Sequence, residues 1–383
     1  MSPSQERFAA LWAYPWDLLA EGVDASLGRI ADLGLQGISL ATAYHAGLLL
    51  LPHNPRQRIR FLEDGALYFR PRLGRFEGLA IRPRWSILLQ EHDLLAEICA
   101  AAERHGLQVV SWTVCTHNSY QGERHPNMTL HNAFGDPLIY GLCPGQPAVQ
   151  DYLVALVQEL SAYPLRTLQL ESYGFMGFPH GYHHEKINLE LGPWGRALMG
   201  LCFCSACERI AAQEDVDFAA ARQATQQTLE ALWEGEALLP ATFSEEALAA
   251  HLPALGPYLA MRERIEARLV QRLSEAASVP LNLLEIGAGM VETRVPGVAE
   301  VTICAYHIAP QEVAATTRAA KALVGERMRL GIGIEACPHR SPDRENLVAK
   351  TRAAWEAGAD SLYFYNYGLM PRKSLEWLRA ALA

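Results

Sequence analysis

Eight short apolar segments, most of them followed by a stretch of helical character, constrain this chain more than any other feature. They lie at 9–15, 36–44, 107–114, 165–171, 279–286, 298–306, 328–335 and 361–367. Helical stretches fall at 24–33, 91–105, 147–163, within 205–277, and at 311–324, 343–357 and 373–381. The first has Asp24 as its N-cap and Gly34 as its stop, and the third has Pro147 in its first turn. A strand joined to the next by a helical crossover pairs with it in parallel, and eight such units suit a closed (β/α)8, or TIM, barrel. An open doubly wound sheet is the competing arrangement. The absence of a glycine-rich phosphate loop after the first strand counts against it.

The chain has 383 residues, long for one domain but within the range of such barrels. One domain over 1–383 with a single apolar nucleus is expected. Residues 205–277 hold more helix than one barrel unit uses, so they read as a helical insertion after the fourth strand. The connections 46–90 and 115–146 are too long for plain linkers and are expected to wall a site. Net charge is −9 and the pI near 5.8, which argues against a nucleic acid or an anionic membrane as partner. No apolar run of about 18 residues and no basic leader are visible, so a cytoplasmic location is expected. There, clustered cysteines favour a metal over disulfides.

Barrels of this kind carry their chemistry at the C-terminal ends of the strands. Those ends bear Tyr14 and Trp16, His45, His117 and Asn118, Glu171, Glu285, Tyr306 and His307, Glu335, and finally Tyr365 and Tyr367. Successive side chains of a strand point to opposite faces. Leu168 and Leu170 then face the helices while Gln169 and Glu171 face inward; Ile332 and Ile334 face outward while Gly331, Gly333 and Glu335 face inward. The direction of Glu285 is unclear, because its strand does not alternate cleanly. Two inward carboxylates over one mouth suit glycoside hydrolysis, one as proton donor and the other as nucleophile or base. A strand-end carboxylate that merely pairs with arginine is the plainer alternative.

Trp12, Trp16, Trp112, Tyr173, Tyr306 and Tyr365 are candidates to stack on a sugar face. A loop with His180, His183, His184 and Glu185 follows the fourth strand. With His45, His117, Asn118 and His307, its imidazoles are candidate sugar contacts, or ligands of a second, catalytic metal.

Cys202, Cys204 and Cys207 form a C-x-C-x-x-C run, and Cys143 is the best fourth ligand. Four thiolates make a closed, structural zinc site. Cys99, Cys115, Cys304 and Cys337 are scattered and read as core residues. A single cysteine ahead of the third helix, a glutamate ending strand four and the C-x-C-x-x-C run soon after resemble the β-galactosidases of glycoside hydrolase family 42. That resemblance implies a structural Zn2+ on Cys143, Cys202, Cys204 and Cys207, with Glu171 as acid/base and Glu335 as nucleophile. Its specific part covers about residues 140–210. Leu170 stands where that family usually has asparagine, next to the acid/base.

The expected activity is retaining hydrolysis of a small glycoside, with self-association into a homo-oligomer left open. The alternatives are a metal-dependent isomerase, aldolase or lyase on the same fold, and a non-catalytic carbohydrate-binding barrel.

Overall fold

The computed structural model describes residues 7–90, 92–180, 184–285 and 296–383. Its centre is a ring of eight parallel strands: β1 (Phe8–Ala13), β2 (Gly37–Tyr44), β3 (Gln108–Val114), β4 (Thr167–Glu171), β5 (Leu281–Glu285), β6 (Val298–Cys304), β7 (Arg329–Glu335) and β8 (Ser361–Tyr365). Each pairs with the next, and β8 returns to β1 with Phe8 opposite Ser361, so the barrel is closed. The expected fold is the observed one.

Alternation along the strands separates two apolar layers. Leu168 and Leu170 of β4 and Ile332 and Ile334 of β7 face outward. They meet Leu95 and Ile98 of the helix Leu94–Arg104, Leu153 and Leu156 of Pro147–Leu160, and Leu347 of Arg344–Glu356. The interior is filled by Trp12, Val110, Trp112 and Tyr363. Gly331 and Gly333 make this filling possible. A Cβ on Gly331 would lie 2.5 Å from Thr302 Oγ1, and one on Gly333 would lie 3.0 Å from the Trp12 ring.

Polar atoms inside the barrel are bonded to one another. Gln169 Oε1 accepts from Trp12 Nε1 at 2.8 Å and from Ser39 Oγ at 2.9 Å, and its amide nitrogen donates to Thr302 Oγ1 at 3.3 Å. Thr302 donates to Asn282 Oδ1 at 2.9 Å, Asn282 donates to the Tyr363 hydroxyl at 3.1 Å, and Tyr363 donates to Glu300 at 3.1 Å.

Several local expectations differ from the structure. The first barrel helix runs Val23–Asp32 with Gly22 as its N-cap, and Asp24 pairs instead with Arg104 at 2.8 Å and His105 at 3.2 Å. Gly22 has φ +91, a left-handed value that lets the chain turn directly from one helix into the next. The connection after β2 is structured: a hairpin pairs Leu48–Leu50 with Ile59–Phe61, and Ala66–Leu67 adds antiparallel to β2. The connection after β3 holds a short helix, Ser119–Arg124, and a hairpin of Thr129–His131 with Pro137–Leu142.

The helical insertion begins earlier than expected, with Gly192–Met199, and continues through Ser205–Gln213, Phe218–Trp233 and Glu245–His251 to Leu255–Ala276. It has an apolar cluster of its own, including Leu198, Leu229, Tyr258, Met261 and the four clustered cysteines. The expectation of a single nucleus therefore fails: the insertion packs around a second one. Among the described residues, no helix is long and apolar enough to cross a membrane.

Replacing Gln169 by leucine keeps the bulk but leaves the Trp12 N–H and the Ser39 hydroxyl without their acceptor. Each orphaned buried group costs about 1–3 kcal/mol. Gln169→Leu is expected to lower unfolding free energy by roughly 2–4 kcal/mol, measured by urea titration.

Candidate active site and metal centre

Glu171 ends β4, two residues beyond Gln169 on the same inward face. Its carboxylate is buried and accepts a hydrogen bond from Trp112 Nε1 of β3. Burial pushes its pKa up to about 7, and the indole N–H only partly opposes this. At neutral pH the group is divided between acid and carboxylate.

Aromatic rings surround it. The Tyr14 hydroxyl lies 3.1 Å from that of Tyr44 and 3.2 Å from that of Tyr365. Tyr44 stands edge-on to Trp112 with ring centres 4.9 Å apart, and Tyr306 lies 5.8 Å from Tyr365. Trp16 stacks behind Tyr14 at 4.5 Å, with the Arg60 guanidinium on its ring, so it backs the wall rather than faces the mouth.

Glu335 ends β7, where Tyr365 of β8 is its register partner. One oxygen lies 2.9 Å from His339 Nε2, and the other lies 3.9 Å from Arg340 Nε. Burial raises its pKa, opposed by the charges of His339, Arg340 and Lys350. Lys350 is fully buried and donates to three backbone carbonyls: Arg340 at 2.9 Å, His307 at 3.2 Å and Glu335 at 3.3 Å. It ties the ends of β6 and β7 to the loop that carries His339 and Arg340. The charges of Glu171 and Glu335 both reach Tyr365 and the Cys304 thiol, and both push those groups upward.

Glu285 takes a different direction. Leu284 joins the interior cluster, and Glu285 accepts from the Tyr173 hydroxyl at 2.7 Å. Tyr173 is thereby engaged with β5.

The imidazoles of His45, His117 and His180 gather on the β2–β4 side. His45 stacks on Tyr44 at 4.3 Å and on His117 at 4.2 Å. His117 Nδ1 lies 3.2 Å from His180 Nε2. Burial lowers the pKa of His45 to about 4 and that of His117 to about 2, and it lowers His180 as well. All three are neutral at physiological pH. They line a cavity of about 480 Å³ with Tyr140, Asp64 and Glu123.

The remaining expected contacts are dispersed. Asn118 caps the helix Ser119–Arg124 through its Oδ1. His307 bonds to Thr316 Oγ1 at 2.9 Å, His184 is exposed, and His183 lies outside the described residues. Tyr14, Tyr44, Tyr140, His339 and Lys350 were not singled out as contacts from sequence. Tyr44 stands next to His45 at a strand end, a usable signal; nothing in the pattern marks Lys350, which is in mid-helix.

The four cysteines converge. All are buried, and their sulfurs lie within 4.8 Å of one another. Cys143 Sγ is 3.7 Å from Cys207 Sγ and 3.5 Å from Cys204 Sγ, and Cys204 is 3.8 Å from Cys207. The His131 amide donates to Cys202 Sγ at 3.4 Å, and Gln146 donates to Cys204 Sγ at 3.7 Å. Hydrogen bonds from its neighbours draw the Cys204 thiol down, while burial holds Cys143 up. Ionised together, such thiols could share one buried space only with a cation among them. This group can hold a metal ion, and it fastens the β3 connection to the start of the insertion.

No protein-family model matches the chain, and no curated protein matches it. Among solved structures, α-L-fucosidase isoenzyme 2 from Paenibacillus thiaminolyticus is similar over 98% of this chain and 49% of that one, at 13% identity and TM-score 0.58. The present chain spans about half the length of that enzyme. The catalytic domain of β-amylase from Paenibacillus polymyxa is similar over 99% of this chain and 98% of that one, at 10% identity and TM-score 0.54. At these identities the likeness is one of fold, a barrel shared with glycoside hydrolases. These similarities do not show glycoside hydrolase family 42.

Cys204→Ser is expected to reduce bound metal from about one ion per chain to near none and to lower the melting temperature. Elemental analysis and thermal unfolding check this. A variant that kept its melting temperature and lost only activity would contradict a structural role.

Proposed function

We propose that this chain is a retaining glycoside hydrolase for small glycosides, with Glu171 as acid/base and Glu335 as nucleophile. The observation that carries this reading is the Glu171 carboxyl: buried at the end of β4, held near pKa 7, and set among aromatic rings. Such a group arrives protonated at mildly acidic pH and can later accept a proton. Glu335 lies in a more cationic setting, beside His339 and Arg340, which favours its ionised form.

In the first step a Glu335 oxygen bonds to the anomeric carbon as the glycosidic C–O bond breaks. The Glu171 proton passes to the leaving oxygen. In the second step water gives its proton to Glu171 and attacks the same carbon, and Glu335 leaves as carboxylate. Tyr365, the less buried member of the Tyr14–Tyr44–Tyr365 hydroxyl cluster, offers a hydroxyl where a sugar needs hydrogen-bond partners.

The metal we assign to the four cysteines is zinc. Tetrahedral zinc–sulfur bonds of about 2.3 Å place sulfurs about 3.8 Å apart, close to the separations of Cys143, Cys204 and Cys207. A fourth thiolate, Cys202, completes the set and leaves no open position, so the ion would be structural. The metal-dependent alternative gains less support, because His45 and His117 meet as stacked rings and His180 stands edge-on to His117, their ring nitrogens paired with each other.

The protonation argument fixes the sign of the pH dependence. Turnover requires protonated Glu171, so kcat/KM on an alkyl glycoside, found by screening, is expected to fall as pH rises through about 7. Trp112→Phe removes a donor that favours the carboxylate, so that limb should move to higher pH. Glu171→Gln should lower kcat by roughly 10²–10⁴-fold. Turnover that survives loss of both Glu171 and Glu335 would overturn the assignment.

A further inference from the structure

The hairpin after β2 carries its polarity the wrong way round. Its inward face holds Arg60, whose guanidinium lies 4.8 Å from the centre of the Trp16 ring, and the half-buried Leu49. Its solvent face holds Leu48, Leu50, Ile59 and Phe61, which are 61%, 64%, 54% and 71% exposed. Leu48 stands opposite Phe61 and Leu50 opposite Ile59, so the four side chains form one apolar strip. A hairpin packed through its other face gains nothing in folding from such a strip, and exposed apolar strands carry an aggregation risk.

The strip leads into the candidate site. Leu48 and Phe61 stand at the rim of the roughly 480 Å³ cavity lined by His45, His117 and His180. From that cavity His45 stacks on Tyr44, Tyr44 stands against Trp112, and Trp112 donates to Glu171. Two aromatic rings, Tyr44 and Trp112, thus lie between the cavity and the proposed proton donor. The cavity's histidine walls are uncharged, and Leu48 and Phe61 make its rim apolar.

We infer that this cavity, with the Leu48–Phe61 pair at its mouth, receives an uncharged, flat apolar aglycone. The inference rests on the glycosidase reading and names its substrate class: glycosides of aromatic alcohols rather than oligosaccharides. At the rim a second sugar would bring hydroxyls against Leu48 and Phe61, side chains that offer no hydrogen-bond partner. A flat ring would instead meet Leu48 and Phe61 at the rim and the neutral histidines inside. Asp64 and Glu123 in the lining disfavour an anionic ligand.

The probe is 2-naphthol, a bare aglycone whose binding needs no catalysis. Its affinity is measured by calorimetry for the full chain, for Glu171→Gln and for the double variant Leu48→Ser/Phe61→Ser. Because both replaced side chains are exposed, the double variant should keep its melting temperature. The expected result is equal binding to wild type and Glu171→Gln, weakened about tenfold in the double variant, in keeping with the loss of two apolar contacts.

Absence of binding to wild type, or equal affinity in the double variant, overturns the inference. So does a double variant that shifts sedimentation from dimer to monomer, which would make the strip a self-association face. Naphthol binding as expected with no glycoside turned over would remove the hydrolase reading and the leaving-group role built on it. Turnover without naphthol binding would remove only the pocket.

Discussion

The Gln169 amide is the point on which the barrel interior depends. An indole, a serine and a threonine from three other strands converge on it, from β1, β2 and β6. None of these groups can reach water, so each needs a partner within the ring. The bonds set how far the strands stand apart and leave Trp12 flat enough to pack on Tyr363, 5.3 Å away. The inward orientation of Gln169 also orients Glu171, because a strand that turns one side chain to the axis turns the second one beyond it the same way. The proposed proton donor thus inherits its direction from a structural residue.

The two carboxylates differ in what the protein offers them. Glu171 has an indole N–H and rings around it, which cannot compensate a full negative charge, so its pKa rises. Glu335 has His339, Arg340 and the buried Lys350 on its side, and these oppose its burial. Lys350 acts at a distance through the backbone, since its ammonium is spent on carbonyls at the ends of β6 and β7. Burying that ammonium lowers its pKa to about 8. The cost is tolerated because three carbonyls that would otherwise lack donors are satisfied together.

Legibility in the sequence followed the range of the interaction. The barrel was readable because period-2 alternation and helical crossovers are local patterns repeated eight times. Glu171 and the outward leucines beside it were readable for the same reason. Glu285 was not, since Leu283 and Leu284 are both apolar and only packing decides which one enters the interior. The convergence of Cys143 with Cys202–Cys207 was readable because few other arrangements put three cysteines in six residues. The second apolar nucleus was missed because its members come from the β3 connection, the β4 loop and five helices, with no shared period. The two long connections read as loops because their strands are only two to six residues long, too short for alternation to stand out.

These connections explain why the cysteine cluster and the mouth belong to one design. The hairpin Thr129–His131 with Pro137–Leu142 contributes Tyr140 to the histidine cavity at one point and leads into Cys143 at its end. His131 donates its amide to Cys202 from the same hairpin, and Phe203 donates back to His131. The insertion returns this through Tyr258, whose hydroxyl donates to the Cys202 carbonyl. A cation on the four sulfurs would therefore fix the hairpin from below while Tyr140 and His180 stack above it, 5.5 Å apart. The wall of the cavity is then set by thiolates that never touch a substrate, and the β4 loop that begins just after Glu171 is held between the barrel and the second nucleus.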